Sequence, residues 1–261
     1  MFNPSHLFTA SALLIILSFI NVASIGEVKC PNNYTIRTTL SKLKRHAFCK
    51  YDSFVRPVRK HSDTVDVKLR LIIRKIDFDE RSDLLKIHSY FAMGWKDYHL
   101  VWNKTDFDNI DEIQVISYYL WRPDIDLLTN GDTYNPMYYY YAVCRVYYTG
   151  QVNCVPPITH TASCAANLVR WPYDQHTCKL VMGSWTHFGE EINVSLPETP
   201  IMFYDYEMNR EWDLLSTRAF KETEMNCCEK NETYPTITFQ FILQRHSGVY
   251  FSTVVVPAIG Y

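Results

Sequence analysis

Hydrophobic and polar residues alternate at two distant places in the chain, and this most constrains how it can fold. Val65, Val67, Leu69, Leu71 and Ile73 recur at every second position, as do Ile237, Phe239, Phe241 and Leu243. Successive side chains of a strand point to opposite faces, so a period of two gathers each set on one buried face. Helical periods are scarce. The exception is Thr38 to His46, where Leu40 and Leu43 share a face behind threonine caps. The aromatic run Tyr138 to Tyr141 fits a strand as well, because rings pack on pleated surfaces. Turn-forming residues between short strands then predict an all-β sandwich. At 47% hydrophobic residues in 261, the chain can fill the core of one large domain or two small ones.

The N-terminus speaks to the compartment. Ala12 to Ile20 is an apolar run too short to span a bilayer, and small residues follow at Val22 to Ser24. It reads as a signal peptide over residues 1–25, the alternative being a buried N-terminal strand. Asn33, Asn103, Asn193 and Asn231 each begin an Asn-x-Ser/Thr glycosylation triplet, which agrees with passage through the secretory pathway. Eight cysteines, an even number, then favour disulfides over thiols. No Cys-x-x-Cys or Cys/His spacing calls for a metal, and no motif calls for a cofactor. A formal net charge of −2 without a basic cluster argues against nucleic acid. No Gly-x-Ser-x-Gly elbow or singled-out triad spacing supports a hydrolase, so an enzyme is not expected.

Cys164 and Cys178 enclose thirteen residues with Trp171-Pro-Tyr-Asp174 at their centre. A bridge there would contribute about 3 kcal/mol in the chain-entropy model. Two rings around a proline make a stiff apolar tip suited to touching another domain or a membrane edge. This loop resembles the signature of the Cys-loop pentameric ligand-gated ion channels. So, in order along the chain, do Tyr51 to Val58, Trp95-Lys-Asp-Tyr98, Trp121-Arg-Pro-Asp124, Val155-Pro-Pro157, Gly183-Ser-Trp-Thr186 and Glu211-Trp-Asp-Leu214. The resemblance implies an immunoglobulin-like β-sandwich with a short N-terminal helix, a ligand-binding domain over residues 26–246. Residues 247–261 then resemble the start of a first membrane helix. Only about a dozen apolar residues follow Ser247 where spanning needs about twenty, so this segment alone builds no pore. A truncated subunit, a secreted protein like the acetylcholine-binding proteins and an accessory subunit all fit, and truncation is the reading preferred.

Within that family, adjacent cysteines such as Cys227 and Cys228 mark the α-type subunits of nicotinic acetylcholine receptors. Disulfides ordinarily hold Cα atoms about 4.4 to 6.8 Å apart, whereas neighbours sit about 3.8 Å apart, so such a bond is strained and stiffens a hairpin tip. The alternative is that each bonds elsewhere. The other six pair plausibly as Cys164 with Cys178, Cys144 with Cys154 and Cys30 with Cys49. Cys144 and Cys154 flank a turn at Tyr148 to Gln151 and could face each other across a hairpin.

The resemblance also implies a site between subunits, an aromatic box holding a quaternary ammonium by cation–π attraction worth up to about 2 kcal/mol. Trp185 matches its central tryptophan and Tyr234 its hairpin tyrosine. Met225 and Leu128 stand where two further tyrosines are expected. The opposite face, supplied by the next subunit, would carry Tyr90, Arg145, Asn153 and Val155. Arg145 suits a carboxylate better than a cation, or is simply an exposed strand arginine. Val181, Met225 and Thr236 replace the polar cluster that relays hairpin closure, so no charge is expected there. Glu80, Asp174 and Arg245 match a charge set at the pore interface, read as a surface group that positions rather than stabilises.

The reading is therefore the extracellular domain of a nicotinic-like subunit in a ring of homologous subunits at the plasma membrane. It binds acetylcholine or a related small-molecule transmitter and gates ion flow. The alternative is a structural or accessory subunit whose pocket has degraded.

Overall fold

The computed structural model describes residues 38–131, 141–225 and 233–259, with the backbone alone at 224 and 225. It opens with α1 (Thr39–Phe48), capped at its N-terminus by Thr38, whose Oγ1 accepts the Ser41 amide at 3.2 Å. The helix runs two residues beyond the expected end. Leu43 is fully buried and Phe48 nearly so, but Leu40 is 44% exposed. The apolar stripe passes through Leu43, Ala47 and Phe48, leaving Leu40 on its rim.

Twelve strands follow among the described residues: β1 (Val65–Asp79), β2 (Leu84–Val101), β3 (Glu112–Ile116), β4 (Ile125–Leu127), β5 (Val143–Tyr147), β6 (Thr149–Cys154), β7 (Pro157–Ser163), β8 (Gln175–Ser184), β9 (Ile192–Ser195), β10 (Ile201–Glu207), β11 (Trp212–Met225) and β12 (Thr233–Arg245). The larger sheet runs β10-β1-β2-β6-β5-β3, with β7 and β9 also paired to β2 and β1; the smaller runs β11-β12-β8-β4. The β-sandwich is thus as expected, but several strands are long rather than short. β1 has 15 residues and β2 has 18, with a register shift between Ile73 and Lys75 that bends their ladder.

Both alternations fall on the core. Val67, Leu69, Leu71 and Ile73 meet Ile237, Phe239, Phe241 and Leu243 in one buried cluster, together with Leu85, Ile87 and Phe91 of β2 and Leu180 and Met182 of β8. Burial at roughly 25 cal/mol per Å² makes this cluster the main stabilising term. Trp95 and Trp121 are buried edge to face at 6.2 Å, which explains why tryptophan begins both of those motifs. The Tyr51 hydroxyl donates to Asp97 at 2.6 Å and accepts the Trp121 amide at 2.8 Å, tying the segment after α1 to β2. Burial raises the Asp97 pKa despite the opposing hydrogen bonds from Tyr51 and the His99 amide. Tyr141, at 82% exposure, lies outside any strand because β5 begins only at Val143. Tyr138 to Tyr140 lie outside the described residues.

Two disulfides join pairs of described cysteines. Cys164–Cys178 closes the thirteen-residue loop, and Cys144–Cys154 joins directly opposed residues of β5 and β6. Cys49 is disulfide-bonded as well. Its expected partner Cys30, the pair Cys227 and Cys228, the residue-1–25 leader, Asn33 and Asn231 lie outside the described residues. After β12 come α2 (Ser247–Tyr250), a π-helical turn and α3 (Val256–Ile259). No described helix is long and apolar enough to cross a membrane.

Candidate functional site

Trp185 leaves the end of β8 on a short loop that Asp124 pins. Asp124 accepts hydrogen bonds from Ser184 Oγ at 2.7 Å, Thr186 N at 2.7 Å and Thr186 Oγ1 at 2.6 Å, and its carbonyl accepts Trp185 N at 3.3 Å. His187 Nδ1 stands 3.1 Å from the same carboxylate. Partial burial pushes the Asp124 pKa up, but the bonds from Ser184 and Thr186 outweigh it and hold the carboxyl below its ordinary value. Trp185 is 72% exposed. A rigid anchor beneath a bare aromatic ring describes a contact surface rather than a core residue.

The smaller sheet brings other expected residues to this edge. Thr236 of β12 pairs with Gly183 of β8, placing Tyr234 two positions further along the edge at which Trp185 leaves. Leu128 is held by its amide to the Val181 carbonyl at 2.8 Å. A Cβ added at Gly183 would meet Leu128 Cδ1 at 3.3 Å and Thr236 Cγ2 at 3.2 Å, so the Leu128 side chain lies beside Gly183 and Thr236. Met225 pairs with Thr233 in the β11–β12 ladder. Trp185, Leu128 and Tyr234 are therefore gathered on one edge, while Cys227 and Cys228 lie outside the described residues.

The expectation of an uncharged relay region is corrected. Glu222 pairs across the ladder with Thr236, and its carboxylate accepts the Thr238 hydroxyl at 2.9 Å. The charge comes from β11, which β12 separates from Val181 on β8, so spacing along β8 or β12 did not reveal it.

Tyr90, Arg145, Asn153 and Val155 collect on the outward face of the larger sheet. Gly94 pairs with Asn153 and Asn153 with Arg145, while the alternate residues Phe91, Met93, Cys144 and Cys154 point into the core. These four residues and the Trp185 edge occupy different sheets. Arg145 lies 3.6 Å from Glu112 on β3, so a carboxylate already faces its guanidinium. Of the glycosylation triplets described, Asn103 is exposed; Asn193 lies on β9 with its amide donating to Asp66 at 2.8 Å.

Glu80, Asp174 and Arg245 do converge, but not as a surface set. Arg245 Nε and Nη2 donate to Asp174 at 2.8 and 2.9 Å, and Nη2 also reaches Glu80. The Arg245 and Asp174 side chains are fully buried. The guanidinium lies over the Trp212 ring at 4.3 Å, which covers the Nη1 left without a hydrogen-bond partner. His176 completes the group: Nδ1 accepts the Asn167 amide, so Nε2 carries the proton and donates to Asp174 at 2.6 Å. Burial raises the Asp174 pKa, but the bonds from Arg245 and His176 bring it below normal. The apolar tip beside it touches the segment after β12, with Trp171 and Tyr250 rings 5.6 Å apart.

Phe188 was missed by sequence reasoning. Its ring stands edge to face with Tyr234 at 5.2 Å, and only its aromatic character three residues after Trp185 hinted at this. No cluster of His, Cys, Asp or Glu among the described residues is arranged to hold a metal.

Comparison with known proteins agrees with this architecture. Residues 40–247 match the family model of the neurotransmitter-gated ion-channel ligand binding domain. The chain is 32% identical over 240 residues to the neuronal acetylcholine receptor subunit alpha-2 of Homo sapiens, covering 91% of this chain and 45% of that protein. It is 32% identical over 220 residues to subunit beta-3 of Gallus gallus, covering 84% and 47%. Against subunit alpha-10 of Rattus norvegicus it is also 32% identical over 220 residues, covering 84% and 48%. The chain spans about half the length of these relatives.

Proposed function

The chain belongs to the neurotransmitter-gated ion-channel ligand-binding domain family, and from that premise we propose that it is the extracellular domain of a nicotinic-receptor-like subunit. It reaches the outer face of the plasma membrane through the secretory pathway and sits among homologous subunits in a ring of five. Acetylcholine or a related amine binds where two subunits meet, with Trp185 and Tyr234 on one face and Tyr90 on the next. A ligand that prefers one conformation of the hairpin shifts the equilibrium that opens the pore.

The observation that carries this reading is the exposed Trp185 ring on its Asp124-pinned loop beside Tyr234. Ring faces attract a desolvated cation, and a preset ring spends little entropy on binding it. The test is a calorimetric titration of the assembled full chain with acetylcholine. Saturable heat that Trp185→Ala abolishes is the expected result. No heat in the unaltered chain would sink the proposal and favour the second reading, a structural partner, to which the aliphatic Leu128 beside Gly183 already lends weight.

A further inference from the structure

Two segments that are distant in sequence meet around one imidazole just beyond β12. His246 Nδ1 lies 2.7 Å from the Arg210 carbonyl oxygen, and Nε2 lies 2.5 Å from Asp213 Oδ1. A carbonyl oxygen and a carboxylate oxygen only accept, so both ring nitrogens must carry protons for both bonds to form. Neutral imidazole has one N–H and can serve only one of the two. The geometry is therefore that of an imidazolium. The same residue is fastened through its backbone as well, since His246 N donates to Glu211 O at 2.9 Å.

We propose that His246 is a proton-dependent latch, which in its charged form fastens the exit of β12 to Arg210 and Asp213 at the start of β11 and in its neutral form lets go of one of them. The inference goes beyond the ligand-binding reading and does not depend on it. The neighbouring charges are already engaged. Glu211 takes the Tyr250 hydroxyl, and Arg245 on β12 is held by Asp174 and Glu80. Burial, with Asp213 and Asp77 adding to it, raises the phenol pKa of Tyr206 on β10, so that group stays neutral. The bonds to Asp213 and to the Arg210 carbonyl raise the His246 pKa above the ordinary 6.5, against the opposing effect of burial. Because the folded value lies above the unfolded one, the latch contributes fully below pH 6.5 and is lost as pH rises through the folded value. The Asp213 side chain is 62% exposed, so the pair tunes the segment and does not lock it. That segment is the one the disulfide loop touches, through Trp171 and Tyr250.

The experiment uses the full chain with isotopically labelled histidine. The ring-nitrogen resonances of His246, identified by their absence in His246→Gln, are followed from about pH 5 to 9. Exchange of the amide at position 246 is measured over the same range and corrected for its intrinsic pH dependence. The expected result is a midpoint above 6.5 that Asp213→Asn lowers, with amide protection falling about two- to fivefold across the same step. His246→Gln removes the step. A midpoint at or below 6.5, or one that Asp213→Asn leaves unmoved, overturns the proposal. So does amide protection that follows the same course in His246→Gln as in the unaltered chain. Neither readout involves acetylcholine, so failure of the ligand-binding reading leaves this test intact.

Discussion

Arg245 grips Asp174 with two parallel bonds, Nε to Oδ1 at 2.8 Å and Nη2 to Oδ2 at 2.9 Å, with both side chains withdrawn from solvent. Removing one partner strands a buried charge, which costs about 3 to 5 kcal/mol, far more than a surface pair would. Asp174→Asn and Arg245→Gln should each lower the urea midpoint by that equivalent. Because the Asp174 pKa is depressed, its contribution is complete above the ordinary carboxylate range and is lost only as pH falls through the lower folded value. The Asp174→Asn variant should therefore lose stability at neutral pH and converge on the unaltered chain in strong acid.

His160 supplies a second pH dependence of different origin. It is buried against Phe91 with Nε2 lacking a hydrogen-bond partner, and burial pushes its pKa down to about 3. The unfolded chain takes up a proton near pH 6.5, whereas the folded chain does not until about pH 3. Stability thus falls by roughly 1.4 kcal/mol per pH unit below about 6.5. Thermal melts from pH 7 to 4 should show this slope, and His160→Leu should flatten it.

The Cys144–Cys154 bridge joins opposed strands that carry Arg145 and Asn153 outward. Closing so short a loop limits its benefit to about 2 to 3 kcal/mol. Replacing both cysteines with serine should lower stability by that amount, read from denaturant unfolding under non-reducing conditions. A loss near zero would mean that the ladder alone holds the hairpin.

Much of this architecture was legible because it rests on local periodicity. The alternations at Val65 to Ile73 and Ile237 to Leu243 name their own buried faces, and Cys144 and Cys154 flank an evident turn. What stayed hidden depends on the third dimension. Arg245, Asp174 and Glu80 can be matched by motif, yet nothing in their spacing reveals that Trp212 and His176 close over them. Glu222 enters the region of Thr236 through strand pairing, and Phe188 meets Tyr234 beside Gly189, where the loop after β8 lies close against Thr233 and Pro235.

The loop beneath Trp185 gives the last prediction. Asp124 carries hydrogen bonds from Ser184 and Thr186, whereas the Trp185 side chain is mostly in solvent. The two residues should therefore respond oppositely to substitution. Trp185→Ala removes little buried surface and should change stability by less than about 0.5 kcal/mol, while abolishing acetylcholine binding if the ring faces the ligand. Asp124→Ala leaves the donors of Ser184 and Thr186 without their acceptor and should cost about 1 to 3 kcal/mol, partly recovered in Asp124→Asn, whose amide oxygen still accepts. Its effect on binding follows from lost positioning, so affinity should fall in Asp124→Ala even though the tryptophan is intact. Parallel melts and acetylcholine titrations of the three variants check this. Equal stability losses in Trp185→Ala and Asp124→Ala would mean that the indole is packed and not presented.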